Sequence, residues 1–119
     1  MKNNISKDYA VKFIDEIVDV KIDRPLGSKH PKHDFLYELN YGFVPGTIAP
    51  DGEEVDAYVL GVDQALDSFT GKCIAVIHRT NDEDDKLVVV SEENTGITDE
   101  EIKAATAFQE KFFKSEILR

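Results

Sequence analysis

Cysteine is nearly absent from this 119-residue chain, and tryptophan is absent altogether. The one thiol, Cys73, lies in the apolar run GKCIAVIH. It has no internal disulfide partner and no fellow thiolates for a zinc site, so it reads as a core residue. The three histidines, His30, His33 and His78, show no zinc-like spacing. No apolar run approaches the ~18 residues that cross a bilayer, and the opening MKNNISKDYAVKF lacks the basic end and apolar stretch of a secretory signal. The expectation is a cytoplasmic protein with no membrane partner. Basic residues are also scarce, 14 against 24 acidic, for a formal net charge of −10. Such a surface repels nucleic-acid phosphates, which argues against nucleic acid as a partner. It suits divalent cations, although acidity also serves solubility. The length and a hydrophobic content of 41% fit one domain spanning residues 1–119.

Local order is dense in what remains. After Ser6, a candidate N-cap, Tyr9, Ala10, Phe13, Ile14 and Ile17 follow helical spacing and predict a short N-terminal helix. Val18, Val20 and Ile22 alternate with polar residues and predict a half-buried strand ended by Pro25. Residues 24–34, RPLGSKHPKHD, read as a loop of local positive charge. Short strands are expected at 35–37, 41–44 and 55–62, with turns at Pro45-Gly46 and Pro50-Asp51-Gly52. The branched stretches 72–80 and 86–91 predict a hairpin around the polar residues 81–85. Thr98 and Glu101 form a capping box, Ile97 and Ile102 a hydrophobic staple, and Ala105, Phe108 and Phe112 an apolar stripe, which together predict a C-terminal helix. Many short strands with one strong helix predict a mainly β (α+β) domain, a small antiparallel barrel capped by helices.

The sharpest local feature is Asp51-Gly52-Glu53-Glu54-Val55-Asp56, a turn leading into a strand with carboxylates around one buried valine. In a strand Glu54 and Asp56 share a face, and the turn can fold Asp51 toward either side. Mg²⁺ takes hard oxygen ligands and is commonly held by a few carboxylates plus substrate phosphates, whereas calcium asks for a fuller cage. On spacing alone, a solvated acidic turn accounts for the cluster as well, and the same holds for Asp82 to Asp85.

The segment Glu38 to Leu60, ELNYGFVPGTIAPDGEEVDAYVL, resembles the signature region of the family I soluble inorganic pyrophosphatases. There a Tyr-Gly strand precedes an Asp-Gly-Asp-Pro-aliphatic-Asp turn, matched here by Tyr41-Gly42 and residues 51–56. VKIDRPLGSKHPKH resembles the family's substrate-lysine loop, with Lys32 as the lysine and Asp23 as the nearby acid. Residues 78–90 resemble its acidic hairpin, through Asp82, Asp84 and Lys86, and Phe113-Lys114 falls where the family has Tyr-Lys. The resemblance implies an OB-like five-stranded antiparallel barrel, a homo-oligomer, and pyrophosphate or a related phosphoanhydride as substrate. It also implies Mg²⁺ bound by Asp51, Asp56, Asp82 and Asp84, with Mn²⁺ sharing the same ligand preference. Lys32, Tyr41, Lys86 and Lys114 would bind substrate, and Glu53 would be the general base.

Three departures from the pattern bear on activity. Glu53 stands where the family has aspartate, and a base displaced by about 1 Å can cost ~10²-fold in rate. No arginine lies between Asp34 and Tyr41 to clamp phosphate. Phe113 lacks the phenol of the family's tyrosine. Three alternatives to pyrophosphate hydrolysis follow: a weakened homologue that binds metal and a phosphorylated ligand, an enzyme for another phosphoanhydride, and a plain acidic interaction domain.

Overall fold

The computed structural model describes residues 9–81 and 84–119. Strand β1 (Ile17–Arg24) buries Val18, Val20 and Ile22 and exposes Asp19 and Lys21, as its two-residue period dictates. Strands β2 (Asn40–Val44), β3 (Val55–Val59), β4 (Ser68–Arg79) and β5 (Lys86–Val90) follow. The order β1-β2-β3-β5-β4 closes on itself, because β1 pairs with β4 as well as β2. The predicted hairpin of β4 and β5 is present and antiparallel.

One seam corrects the all-antiparallel barrel expected from sequence. β3 pairs β5 in parallel, with Asp56 opposite Lys86, so the closed five-strand barrel is mixed. The chain goes out along β4 between these two strands, and a strand reached after an out-and-back excursion returns in its original direction. A short strand β6 (Ser115–Leu118), unexpected from sequence, adds to β4 outside the ring. The stretch 35–37 is loop rather than strand, with an isolated bridge from Lys29 to Leu36 and a backbone hydrogen bond from Gly27 to the Tyr37 carbonyl. At the N-terminus residues 9–11 are helical and lead into a turn; the candidate cap Ser6 lies outside the described residues.

Helix α1 (Asp99–Glu110) begins as the sequence predicts. The Thr98 hydroxyl accepts from the Glu101 backbone N–H at 3.1 Å, and the Glu101 carboxylate accepts from the Thr98 N–H at 2.9 Å. Ile102 and Phe108 are buried, but Phe112 falls beyond the helix and is 59% exposed, so the expected stripe stops a turn early. No helix among the described residues is long and apolar enough to cross a membrane.

The pleat sorts the core into two layers. Val20, Val44, Val55, Ala57, Val59, Leu87 and Val89 point into the barrel. Their alternate neighbours Tyr41, Tyr58, Val88 and Val90 point out, where Ile102 and Phe108 of α1 cover them. β5 is therefore buried on both faces, which is why it reads as an unbroken apolar run after Lys86. Gly42 lets β2 cross β1 closely, since a Cβ there would collide with the Lys21 carbonyl.

Candidate active site

The outward face that carries α1 also carries the charged residues. Tyr41 on β2, Asp56 on β3, Lys86 on β5 and Arg79 on β4 come from four strands adjacent in the sheet. Their side chains all line a cleft of about 460 Å³ between the sheet, the loop after β1 and the end of α1. The floor of this cleft is tightly bonded. Lys86 Nζ, on a side chain 2% exposed, donates to Asp56 Oδ2 and Asp84 Oδ2, each at 2.7 Å. The Tyr41 hydroxyl donates to the same Asp56 oxygen at 2.8 Å. Asp56 and Asp84 are about one-third exposed, so their remaining surface opens to the cleft. Burial first, and then the charge of Asp56, push the Tyr41 pKa well above its ordinary value, so its hydroxyl stays a donor.

A second network lies directly behind the floor. Arg79 holds Glu110 through Nε at 3.0 Å and Nη2 at 2.7 Å, and Nη1 lies 3.5 Å from Asp84. Tyr58 donates to Glu110 at 2.7 Å, Gln109 donates to the Tyr58 hydroxyl at 2.6 Å, and the Tyr37 hydroxyl donates to Gln109 at 2.9 Å. Burial opposes the charge on Arg79, but the bonds and charge of Glu110 and the charge of Asp84 outweigh it and raise its pKa. The helix end is thus bonded, residue by residue, to the acids of the cleft.

Asn40 fixes the loop that forms the opposite wall. Fully buried at the start of β2, it accepts from the backbone N–H groups of Leu26 at 3.1 Å and Leu66 at 3.0 Å, and it donates to the Gln64 carbonyl at 2.9 Å.

Of the residues expected from sequence, Tyr41, Asp56, Asp84 and Lys86 meet in the cleft. Asp51 and Glu53 are exposed on the turn before β3, outside the cleft lining, where Asp51 Oδ1 accepts from the Glu53 backbone N–H at 3.0 Å. Burial raises the pKa of half-buried Tyr9, a backbone hydrogen bond from Asp85 opposes the rise, and the charges of Asp85, Asp84 and Asp51 add to it. Likewise Asp23 is raised by burial, with Asp56 and Glu54 adding to the shift against Arg24. The side chains of Lys32 and Lys114 are exposed and outside the cleft lining, and Asp82 lies outside the described residues.

Sequence reasoning missed Arg79, Glu110, Gln109 and Tyr37. An arginine ending a long apolar strand was the available signal for the first of these. Arg79 reaches the cleft from β4 although the region between Asp34 and Tyr41 has no arginine, and its guanidinium lies 3.6 Å over the ring of Phe113. The missing phenol is thereby replaced by a packing contact.

Hard carboxylate oxygens beside one ammonium suit a hydrated magnesium-like ion, which takes few protein ligands. Among the described residues no three His, Cys, Asp or Glu side chains converge into an all-protein metal cage. Asp56 and Asp84, which share Lys86, are the carboxylates of the cleft lining.

Comparisons with known proteins agree with this geometry. The family model described as inorganic pyrophosphatase matches residues 4–117. An inorganic pyrophosphatase of Aquifex pyrophilus is 27% identical over 92% of this chain, and the chain spans 57% of that relative's length. One from Rickettsia conorii is 29% identical over 76% of this chain and 69% of its own. A crystal structure of inorganic pyrophosphatase from Ehrlichia chaffeensis superposes with a TM-score of 0.64 at 19% identity, covering 87% of this chain and 85% of that one, a likeness of fold. With the match running through every strand of the barrel and both sides of the cleft, the chain belongs to the inorganic pyrophosphatase family.

Proposed function

We propose that this chain hydrolyses inorganic pyrophosphate to two phosphates with Mg²⁺, for which Mn²⁺ is a chemically equivalent substitute. The observation that carries the reading is the convergence of Asp56 and Asp84 on Lys86, beside Tyr41, in one cleft of a chain of this family. Asp56 and Asp84 would hold metal at the floor, with Asp51 and Asp82 as the further metal ligands that the family resemblance implies. Bound magnesium supplies charge that acidifies a water and neutralises phosphate oxygens.

The protein's own contribution is positioning and charge. Lys86 carries three donors and spends two on Asp56 and Asp84, which leaves one for a phosphate oxygen. Its burial makes that interaction stronger than the same contact in water. Tyr41, held protonated, has one hydroxyl hydrogen, which here goes to Asp56 and would turn to a phosphate oxygen when substrate binds. Lys32 and Lys114 would close on the outer phosphate, and Glu53 would accept the proton of the attacking water. The acidic surface disfavours nucleic-acid partners; the protein would act in the cytoplasm as a one-domain, homo-oligomeric enzyme, a state that size-exclusion chromatography measures directly.

Phosphate release from pyrophosphate, with and without Mg²⁺, tests the reading on wild type beside Asp56→Asn and Glu53→Gln. Release that needs metal and collapses in both variants is expected; absence of release from the wild type would sink it. A second reading is favoured by the exposed position of Glu53 outside the cleft. In it the chain binds metal and a phosphorylated ligand with little turnover. Unchanged slow release in Glu53→Gln, with Mg²⁺-dependent thermal stabilisation by imidodiphosphate, would favour this binder.

A further inference from the structure

The wall of the cleft opposite the acids is aromatic, and pyrophosphate has no use for it. His33, Phe35 and Phe112 lie with ring centroids 5.9 to 6.2 Å apart and planes within 6° to 23° of one another. They present broadly parallel faces at the mouth. His30 continues the shelf inward, 4.9 Å from Phe35 and stacked on Tyr37 at 5.8 Å. Phe112 is 59% exposed, a large ring kept in water at the edge of a charged cleft. The imidazole of His30 accepts the backbone N–H groups of Lys32 and His33 at 3.0 and 3.1 Å on Nδ1, which fixes its plane. Burial and the neighbouring cations lower its pKa, which favours a neutral ring suited to stacking.

The cleft thus has two poles, a cationic and carboxylate floor at Lys86, Asp56 and Asp84 and an aromatic shelf, both lining the same 460 Å³ space. That volume falls in the range of ~300–1,000 Å³ that takes molecules of drug size. Pyrophosphate carries no apolar or aromatic group to meet the shelf. We propose that the cleft binds nucleoside 5′-diphosphates, with the phosphoanhydride at Lys86 and the base stacked on the shelf of Phe112, Phe35 and His33. A base offers a flat π-face to any parallel ring, so the shelf would be tolerant of base identity. The inference deepens the phosphoanhydride reading of the floor and rests on it.

Binding to the full chain in Mg²⁺, measured by calorimetry, tests this with two non-hydrolysable probes, imidodiphosphate and α,β-methylene-ADP. The nucleotide is expected to bind on the order of tenfold more tightly, and Phe112→Ala and Phe112→Leu to remove most of that ratio. Both variants alter an exposed ring, and a thermal melt checks their folding. Independently, the His33 and His30 ring protons should move upfield in NMR spectra with the nucleotide and not with imidodiphosphate. Equal affinities with no histidine shift would overturn the shelf and leave the pyrophosphatase reading intact. Binding of neither probe would overturn both.

Discussion

The floor and the rim of the cleft are built by opposite means. The floor sits on strands adjacent in one sheet, and its polar groups hold one another from Tyr41 through Asp56, Lys86, Asp84 and Arg79 to Glu110. The rim sits on the loop after β1 and the turn after α1, held by backbone hydrogen bonds within the loop, by Asn40 and by ring contacts. A sheet can hold charges in fixed proximity because the pleat sets which side chains share a face. A loop can exchange side chains with little effect on the barrel, so the rim is where the choice of ligand can vary while the floor keeps its chemistry.

The contrast is most sharply broken at Glu110. Glu110→Gln removes the carboxylate that buried Arg79 holds by two hydrogen bonds, leaving Asp84 at 3.5 Å, and a loss of about 3 kcal/mol in stability is expected from denaturant unfolding. Lys86→Met strikes the floor itself: ~10²- to 10³-fold slower pyrophosphate hydrolysis is expected, because a preorganised charge is removed from a low-dielectric site. If the rate fell less than tenfold, the floor would not be the catalytic pole. Asn40→Ala tests how the rim is anchored. It strands two loop N–H groups that now end on Oδ1, at a cost of about 2–3 kcal/mol, and should raise hydrogen exchange at Leu26 and Leu66. Thr98→Ala, remote from both regions, should cost about 1 kcal/mol and leave pyrophosphate turnover untouched.

The smallest effect concerns pH. Hydrogen bonding to Thr98, by its backbone first and then its side chain, lowers the Glu101 pKa in the fold. A lowered acid contributes stability above its unfolded pKa and loses it as pH falls through the folded one. The melting temperatures of wild type and Glu101→Gln should therefore differ at neutral pH and converge in acid.

Much of the barrel was legible because its signals are local. The alternation in β1, the β4–β5 hairpin and the capping box at Thr98 each involve residues a few positions apart. The parallel seam of β3 with β5 and the added β6 depend on partners far along the chain, and no short window encodes them. The site divides in the same way. Tyr41 and Asp56 stood out through the family signature, and Asp84 and Lys86 through the resemblance of residues 78–90 to the family's acidic hairpin. Arg79 and Glu110 did not, being 31 residues apart and individually ordinary.

By itself the sequence determined the strand periods, the helix start and the acidic turn ahead of β3, since each follows from side-chain spacing and backbone chemistry within one segment. Tertiary structure alone decided that Asp56 faces Lys86, that Arg79 reaches the cleft the loop arginine does not supply, and that Phe112 leaves its helix to join a loop in an aromatic rim. These are outcomes of sheet order and closure, where the energy of each contact depends on which distant strand arrives beside it.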